Sequence, residues 1–178
     1  ADQAFLQKIS DSLDRVMKAV SDKKHPAHEQ KRINEVSKYF EETIREELNR
    51  VEGFECDFPK TAEGRTQRSG YPDLRLVDRK TGRIVYLDPK LFQASSRKSS
   101  LRTFYFTPQL ETRKILDDAH HLLVGFPHEG KVDGVWKFTG WELVDLSNFK
   151  VRLKAEFQAS NRDIYIDENI VARGGKRE

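Results

Sequence analysis

In the segment YPDLRLVDRKTGRIVYLDPKLFQ, residues 71–93, Asp73 is followed fifteen residues on by Asp88 and two further by Lys90. The aspartates sit beside or within two apolar runs, and the polar string DRKTG between the runs has turn composition. If the loop is residues 79–82, Asp78 faces Arg83 across an antiparallel hairpin, and the same register sets Asp73 opposite Asp88. Side chains alternate along a strand, so Lys90 joins both carboxylates on one face while Leu74, Leu76, Val85, Leu87 and Leu91 share the other as core. Two ionised carboxylates facing each other repel, and one pKa rises unless a cation lies between them. Such oxygen donors suit Mg²⁺, with Mn²⁺ as a substitute, ions that commonly bind through one or two carboxylates and a substrate phosphate. Beside that ion, Lys90 would steer an attacking water or stabilise charge developing on the phosphate. The chemistry that fits is metal-dependent cleavage of a phosphodiester. The alternative is a surface hairpin in which Lys90 merely pairs with Asp73.

Elements on both sides must hold this hairpin. Phe5, Ile9, Leu13, Val16 and Val20 recur at helical spacing and predict an amphipathic helix over 5–20. Pro26 breaks the pattern, and a second helix is expected over about 27–51, with Ile33, Val36, Phe40, Ile44 and Leu48 on one face and Gly53 as its stop. FECDF reads as a short strand, 59–70 as a polar loop, and 71–92 as two strands about the turn. Beyond the basic, serine-rich SSRKSSLRT, Thr107-Pro108 is expected to open a third helix, and HHLLVGF reads as a short buried strand. The patterns after it mix strand and helix and leave the order open. The length fits a single domain over 1–178: an N-terminal helix and linker (1–26), a motif-bearing core (27–127) and its completion (128–178).

The run Pro72-Asp73, then Asp88-Pro89-Lys90 at the end of an apolar strand, resembles the PD-(D/E)xK nuclease superfamily, which includes many restriction endonucleases. The element order over roughly 27–127 is similar too. The resemblance implies an α/β fold, a central mixed sheet flanked by helices, in a Mg²⁺-dependent enzyme that hydrolyses phosphodiester bonds in DNA. It implies metal ligation by Asp73, Asp88 and the backbone carbonyl of Pro89, with Lys90 as the catalytic lysine. Many relatives add a glutamate from the helix before the sheet. Rotation by 100° per residue from Ile33 puts Glu29 and Glu47 near the apolar face, and Glu29 is the preferred candidate. Proline at the variable position departs from the pattern: it lacks a ladder donor and suits an edge strand or bulge, whereas the family's equivalent strand is usually interior. A catalytically silent nuclease-like module, binding DNA or partners within a larger defence or repair system, is the competing reading.

The net charge of +3 is unevenly spread: residues 58–103 carry 11 basic and 4 acidic side chains, against net −3 before them and −1 after. A local basic field of this kind fits a polyanion, because Lys and Arg contacts to phosphate release condensed counterions. Arg97, Lys98 and Arg102 are candidate phosphate contacts. Arg68, with Arg65 and Gln67, precedes Pro72 and is placed to approach a groove. Cleavage of both strands by so small a domain would favour a two-fold homodimer. The single cysteine, Cys56, forms no internal bridge and suits a reducing compartment, the cytoplasm, though a leader removed before Ala1 stays open. No apolar run approaches a membrane span, so no membrane partner is expected. His25, His28, His120 and His121 lack metal-ligand spacing, and HExxH, CxxC pairs, phosphate-cradling glycine loops and G-x-S-x-G are absent. Trp136, Phe138 and Trp141 read as packing.

Overall fold

A computed structural model of the chain describes residues 3–100, 104, 106–108, 110–151, 160–164 and 166–170. Helix α1 (Gln3–Val20) buries Phe5, Ile9, Leu13, Val16 and Val20, the expected stripe, against α2 (Ile33–Asn49). The second helix starts later than its periodicity suggests. Pro26–Glu29 form a separate 3₁₀ turn, and α2 opens only after Arg32, whose backbone N–H donates to Glu35 Oε2 (3.2 Å). At its other end, the Asn49 side chain donates to Cys56 O and accepts from Cys56 N, both at 2.8 Å, pinning the helix to the first strand. Gly53, at φ +87°, makes the intervening reversal in a region that favours glycine.

Strands β1 (Phe54–Asp57), β2 (Leu74–Asp78) and β3 (Arg83–Gln93) form an antiparallel meander. Asp78 pairs with Arg83 and Leu74 with Leu87, the anticipated register. Strand β4 (His120–Val132) then lies parallel to β3, from Val85 beside His120 to Gln93 beside His128. Its other pairings are antiparallel, with β5 (Val135–Phe138) and β6 (Glu142–Asp145) in succession. The protein is therefore α/β with a mixed sheet, as expected. One sheet face presents Leu74, Leu76, Val85, Leu87, Leu122, Val124 and Phe126 to the helices, and Phe40 of α2 packs its ring 4.6 Å from Phe126 and 4.7 Å from Phe138. Trp136 is buried, and the half-buried Trp141 donates its indole N–H to Asp14 Oδ1 (2.8 Å), so both serve packing.

Among the described residues the third helix is not formed. Between β3 and β4 the described residues contain a single 3₁₀ turn, Ala94–Ser96, where Thr107-Pro108 was expected to open a helix. A helix here would need an apolar stripe to bury, yet Leu110 is 73% exposed and Leu116 52%. The backbone finds other partners: Leu116 N and Asp117 N donate to the Tyr86 hydroxyl (3.0 and 3.3 Å), and Arg113 O accepts from Ala62 N (3.0 Å). Parallel pairing demands a long crossover, and here residues 113–117 of that crossover are an anchored strap. A four-residue helix, α3 (Asn161–Ile164), lies near the C-terminal end.

Candidate active site

Strand β2 begins at Leu74, whereas β3 runs on to Gln93. Past Leu87, β3 therefore pairs with β4 alone, and Pro89, whose missing N–H would interrupt a two-sided ladder, falls where there is no β2 partner. This resolves the departure from the family pattern. The same truncation opens a cleft of about 980 Å³ along the free edge, lined by Asp73, Asp88, Pro89, Lys90, Tyr71 and, from α2, Glu41 among others.

Asp73 sits one residue before β2, at the next register position opposite Asp88. The Asp88 side chain is 1% exposed and that of Asp73 16%. Lys90 Nζ lies 2.6 Å from Asp88 Oδ2 and 4.0 Å from Asp73 Oδ2, so the three groups converge on one face. The 2.6 Å contact is an ion pair without hydrogen-bond angles, and neither Asp88 oxygen has a hydrogen-bond partner. Burial, and then the negative charge of Asp88, push Asp73 from 3.8 up to about 7, opposed by Lys90. Carboxylate oxygens left without hydrogen bonds in a cleft are what a hard divalent cation replaces water to bind, and the donor set fits one. Among the described residues no group of three or more His, Cys, Asp or Glu side chains is assembled as a metal site. The set on offer is two carboxylates with backbone carbonyl and water, which suits an ion that keeps part of its hydration shell.

The residues flanking this trio on the same face hold the strap. Arg75 Nε and Nη2 donate to Asp117 Oδ2 and Oδ1 (2.7 and 2.9 Å), and the fully buried Tyr86 donates its hydroxyl to Asp117 Oδ2 (2.6 Å). Arg75 and Tyr86 are register partners, one pair along from Leu74 and Leu87. Beside Asp73, Tyr71 stacks on His121 and shares a 2.6 Å hydrogen bond with its Nδ1; burial and the two aspartates hold the phenol above its ordinary range.

Glu29 is not on a helix. It lies exposed at the end of the 3₁₀ turn that Pro26 opens, ahead of α2, and does not line the cleft. The helix glutamate at the cleft is Glu41, whose charge raises the Asp73 pKa. Its signal in the sequence is the stripe Ile33-Ser37-Glu41 at four-residue spacing, all three lining the cleft. Glu47, the other glutamate near the apolar face, is buried but paired with Arg15 (2.9 Å) and Arg50 (2.6 Å). Lys114, which composition did not single out, is 1% exposed and has no hydrogen-bond partner at Nζ; burial lowers its pKa, opposed by the charges of Asp73, Asp88 and Glu41.

Of the basic candidates, Arg68 and Arg97 line the cleft. Arg68 bridges Glu41 and Glu42 (both 2.8 Å) over the Phe58 ring, and Arg97 pairs with Glu142 of β6 (2.5 Å). Lys98 is exposed, and Arg102 lies outside the described residues. Arg65 pairs with Glu63 (3.3 Å), and Gln67 donates to Ser69 O (3.1 Å).

A mixed sheet with Pro-Asp at the start of one strand and Asp-Pro-Lys on its neighbour is the arrangement of the PD-(D/E)xK class. Residues 1–168 match the model of the Type II restriction enzyme MjaV family, and the chain belongs to that family. A curated relative, Type II restriction enzyme MjaV of Methanocaldococcus jannaschii, is 37% identical in an alignment 147 residues long that covers 79% of this chain and 63% of the relative. The chain thus spans less than two thirds of that relative's length. No solved structure matches it. Among the described residues no helix is long and apolar enough to cross a membrane.

Proposed function

We propose that the chain is a restriction-type endonuclease that hydrolyses phosphodiester bonds in DNA with a divalent cation, Mg²⁺, for which Mn²⁺ substitutes. The observation that carries this reading is Asp88, buried in a cleft with both oxygens lacking hydrogen bonds, facing Asp73 and Lys90. Family membership favours DNA as substrate, since the relative is named a type II restriction enzyme.

Asp73, Asp88 and the Pro89 carbonyl would hold the cation, which when bound supplies Lewis-acid polarisation of the phosphate and a more acidic water. Asp88 contributes a ligand that is already desolvated. Lys90, one third exposed, reaches from Asp88 into the cleft and holds its ammonium where negative charge grows on the phosphate. Glu41, which lines the same cleft, would take the helix-glutamate role. Arg68, Arg97, Lys98 and Arg102 are the proposed backbone contacts, the first two by exchanging their carboxylate partners for phosphate. Paired cuts would need two copies facing opposite strands, hence a homodimer on DNA.

Nicking of supercoiled plasmid with Mg²⁺ tests the assignment. Asp73→Ala and Lys90→Ala should cut about 10³-fold more slowly while retaining a cooperative melt. Undiminished nicking by either folded variant would dispose of the mechanism. Salt-sensitive DNA binding with no metal-dependent products from the native chain would instead select the silent module.

A further inference from the structure

On α2, Ser37 and Glu41 stand to one side of the core stripe and line the active-site cleft, whereas Glu47 and Arg50 stand to the other. On that other flank, against α1, lies a separate cavity of about 560 Å³ that shares no lining residue with the cleft. Its ionised lining is Arg15, Lys18, Lys24 and Arg50 against Asp22 and Glu47, an excess of two positive charges. The arginines are held in place. Arg15 Nε donates to Oε2 of the buried Glu47 (2.9 Å) and Arg50 Nη1 to Oε1 (2.6 Å), while Arg15 Nη2 also donates to the Ser12 hydroxyl (2.9 Å). Arg15 Nη1 and the other two nitrogens of Arg50 keep their N–H groups without a partner among the described residues. Asp22 is engaged as well, its Oδ1 accepting from Lys24 N (2.9 Å). The Lys18 and Lys24 side chains are exposed and enter no ion pair among the described residues. His25 adds a neutral donor to the lining: its Nδ1 accepts from Ala27 N (3.2 Å), so the uncharged ring carries its proton on Nε2.

We propose that this cavity is a phosphate-binding site separate from the cleft. The donors select the chemistry. A guanidinium already fixed on a carboxylate loses little freedom when it binds, and its planar fork matches the spacing of phosphate oxygens. One phosphate dianion, or two successive phosphodiesters of a strand, cancels the excess of two charges, whereas a metal cation is repelled by it. Glu47 serves the site by orienting both arginines and is a positioning residue. The lining contains no Phe, Tyr or Trp on which a base could stack, so the site reads phosphate and not the group attached to it. DNA strands and free phosphorylated molecules share that chemistry. Because no residue of the cavity belongs to the cleft, the site stands or falls apart from the endonuclease reading.

Calorimetric titration of the full chain with inorganic pyrophosphate, at low ionic strength and with EDTA present, tests the site without turnover. The native chain should bind pyrophosphate, and more weakly as salt is added. The double variant Lys18→Gln, Lys24→Gln exchanges two exposed, unpaired ammoniums, so its thermal melt should match the native one while its affinity falls about tenfold. Arg15→Lys, which keeps the charge and loses the fork, should bind about threefold more weakly. Arg97→Ala, which alters the cleft, should bind pyrophosphate as the native chain does. Anisotropy titration with a short duplex then identifies the source. Duplex affinity that falls in the double variant assigns the site to a DNA strand, with or without pyrophosphate binding; loss of pyrophosphate alone assigns it to a free phosphorylated molecule. Native pyrophosphate affinity in the folded double variant, loss of that affinity in Arg97→Ala, or a native chain that ignores pyrophosphate and whose duplex binding the double variant leaves unchanged would each overturn the proposal.

Discussion

The interface of α1 with α2 and the cleft face of the hairpin each bury a carboxylate almost completely, and they do so in opposite ways. Glu47, 6% exposed, receives Arg15 and Arg50 from two directions, and Arg15 also donates to the Ser12 hydroxyl (2.9 Å). Asp88, 1% exposed, receives one ammonium on one oxygen and no hydrogen bond on either. A carboxylate with its acceptors satisfied belongs to the fold. One shut away from solvent with a single ammonium and no hydrogen bond is what the proposed endonuclease reading makes a cation ligand. Burial does not distinguish a structural acid from a functional one; the partners do.

Exchanging each acid for its amide should break the symmetry most visibly. Asp88→Asn is expected to lower plasmid nicking by about 10³-fold with a nearly unchanged melt. Glu47→Gln should leave nicking intact and cost about 1–2 kcal/mol in a urea titration, less than a sealed pair would because both arginines reach solvent. If Glu47→Gln lost activity at native stability, the division would fail.

The pH response sharpens the contrast. A carboxyl whose folded pKa is raised binds protons more readily folded than unfolded, so its contribution to stability declines as pH rises, here from about 4 to about 7 for Asp73. In metal-free protein, the melting temperature of the native chain relative to Asp73→Asn should therefore fall across that window, and added Mg²⁺ should reverse the fall. At subsaturating Mg²⁺ nicking should drop as pH is lowered through 7, because the proton on Asp73 competes with the cation. A flat difference between the two melting curves would contradict the raised pKa.

Smaller effects probe the periphery of the site. Tyr86→Phe removes the hydroxyl that two strap amides donate to, and should slow nicking about tenfold while costing about 1–3 kcal/mol in denaturant. Arg97→Ala frees Glu142 at an exposed pair, so stability should shift by less than about 0.5 kcal/mol. Its effect should appear as a few-fold weaker DNA affinity and a shallower salt dependence. Unchanged salt dependence would remove Arg97 from the phosphate contacts.

The hairpin was legible because its two signals agree: a period-2 apolar pattern and a turn of defined length leave one register, and that register determines which residues share a face. The stripe of α1 was legible for the same reason. Glu41 was not, since rotation about a helix axis says which side chains flank the core but not which flank a cleft lies beside. The expected third helix failed on a related point. Thr107-Pro108 is a good opening, but Leu110 and Leu116 had no surface to bury against, and Tyr86 offered the amides a better partner.

What the residue order determined alone is local: the two helical stripes, the hairpin register, and the meeting of Asp73, Asp88 and Lys90 on one face, all consequences of fixed backbone periods. What only the tertiary structure decided is the company these groups keep. The early start of β3's free edge, the Glu41 wall and the strap fastened to Tyr86 come from elements distant in the chain, whose mutual placement depends on which surfaces bury one another rather than on any repeat within them.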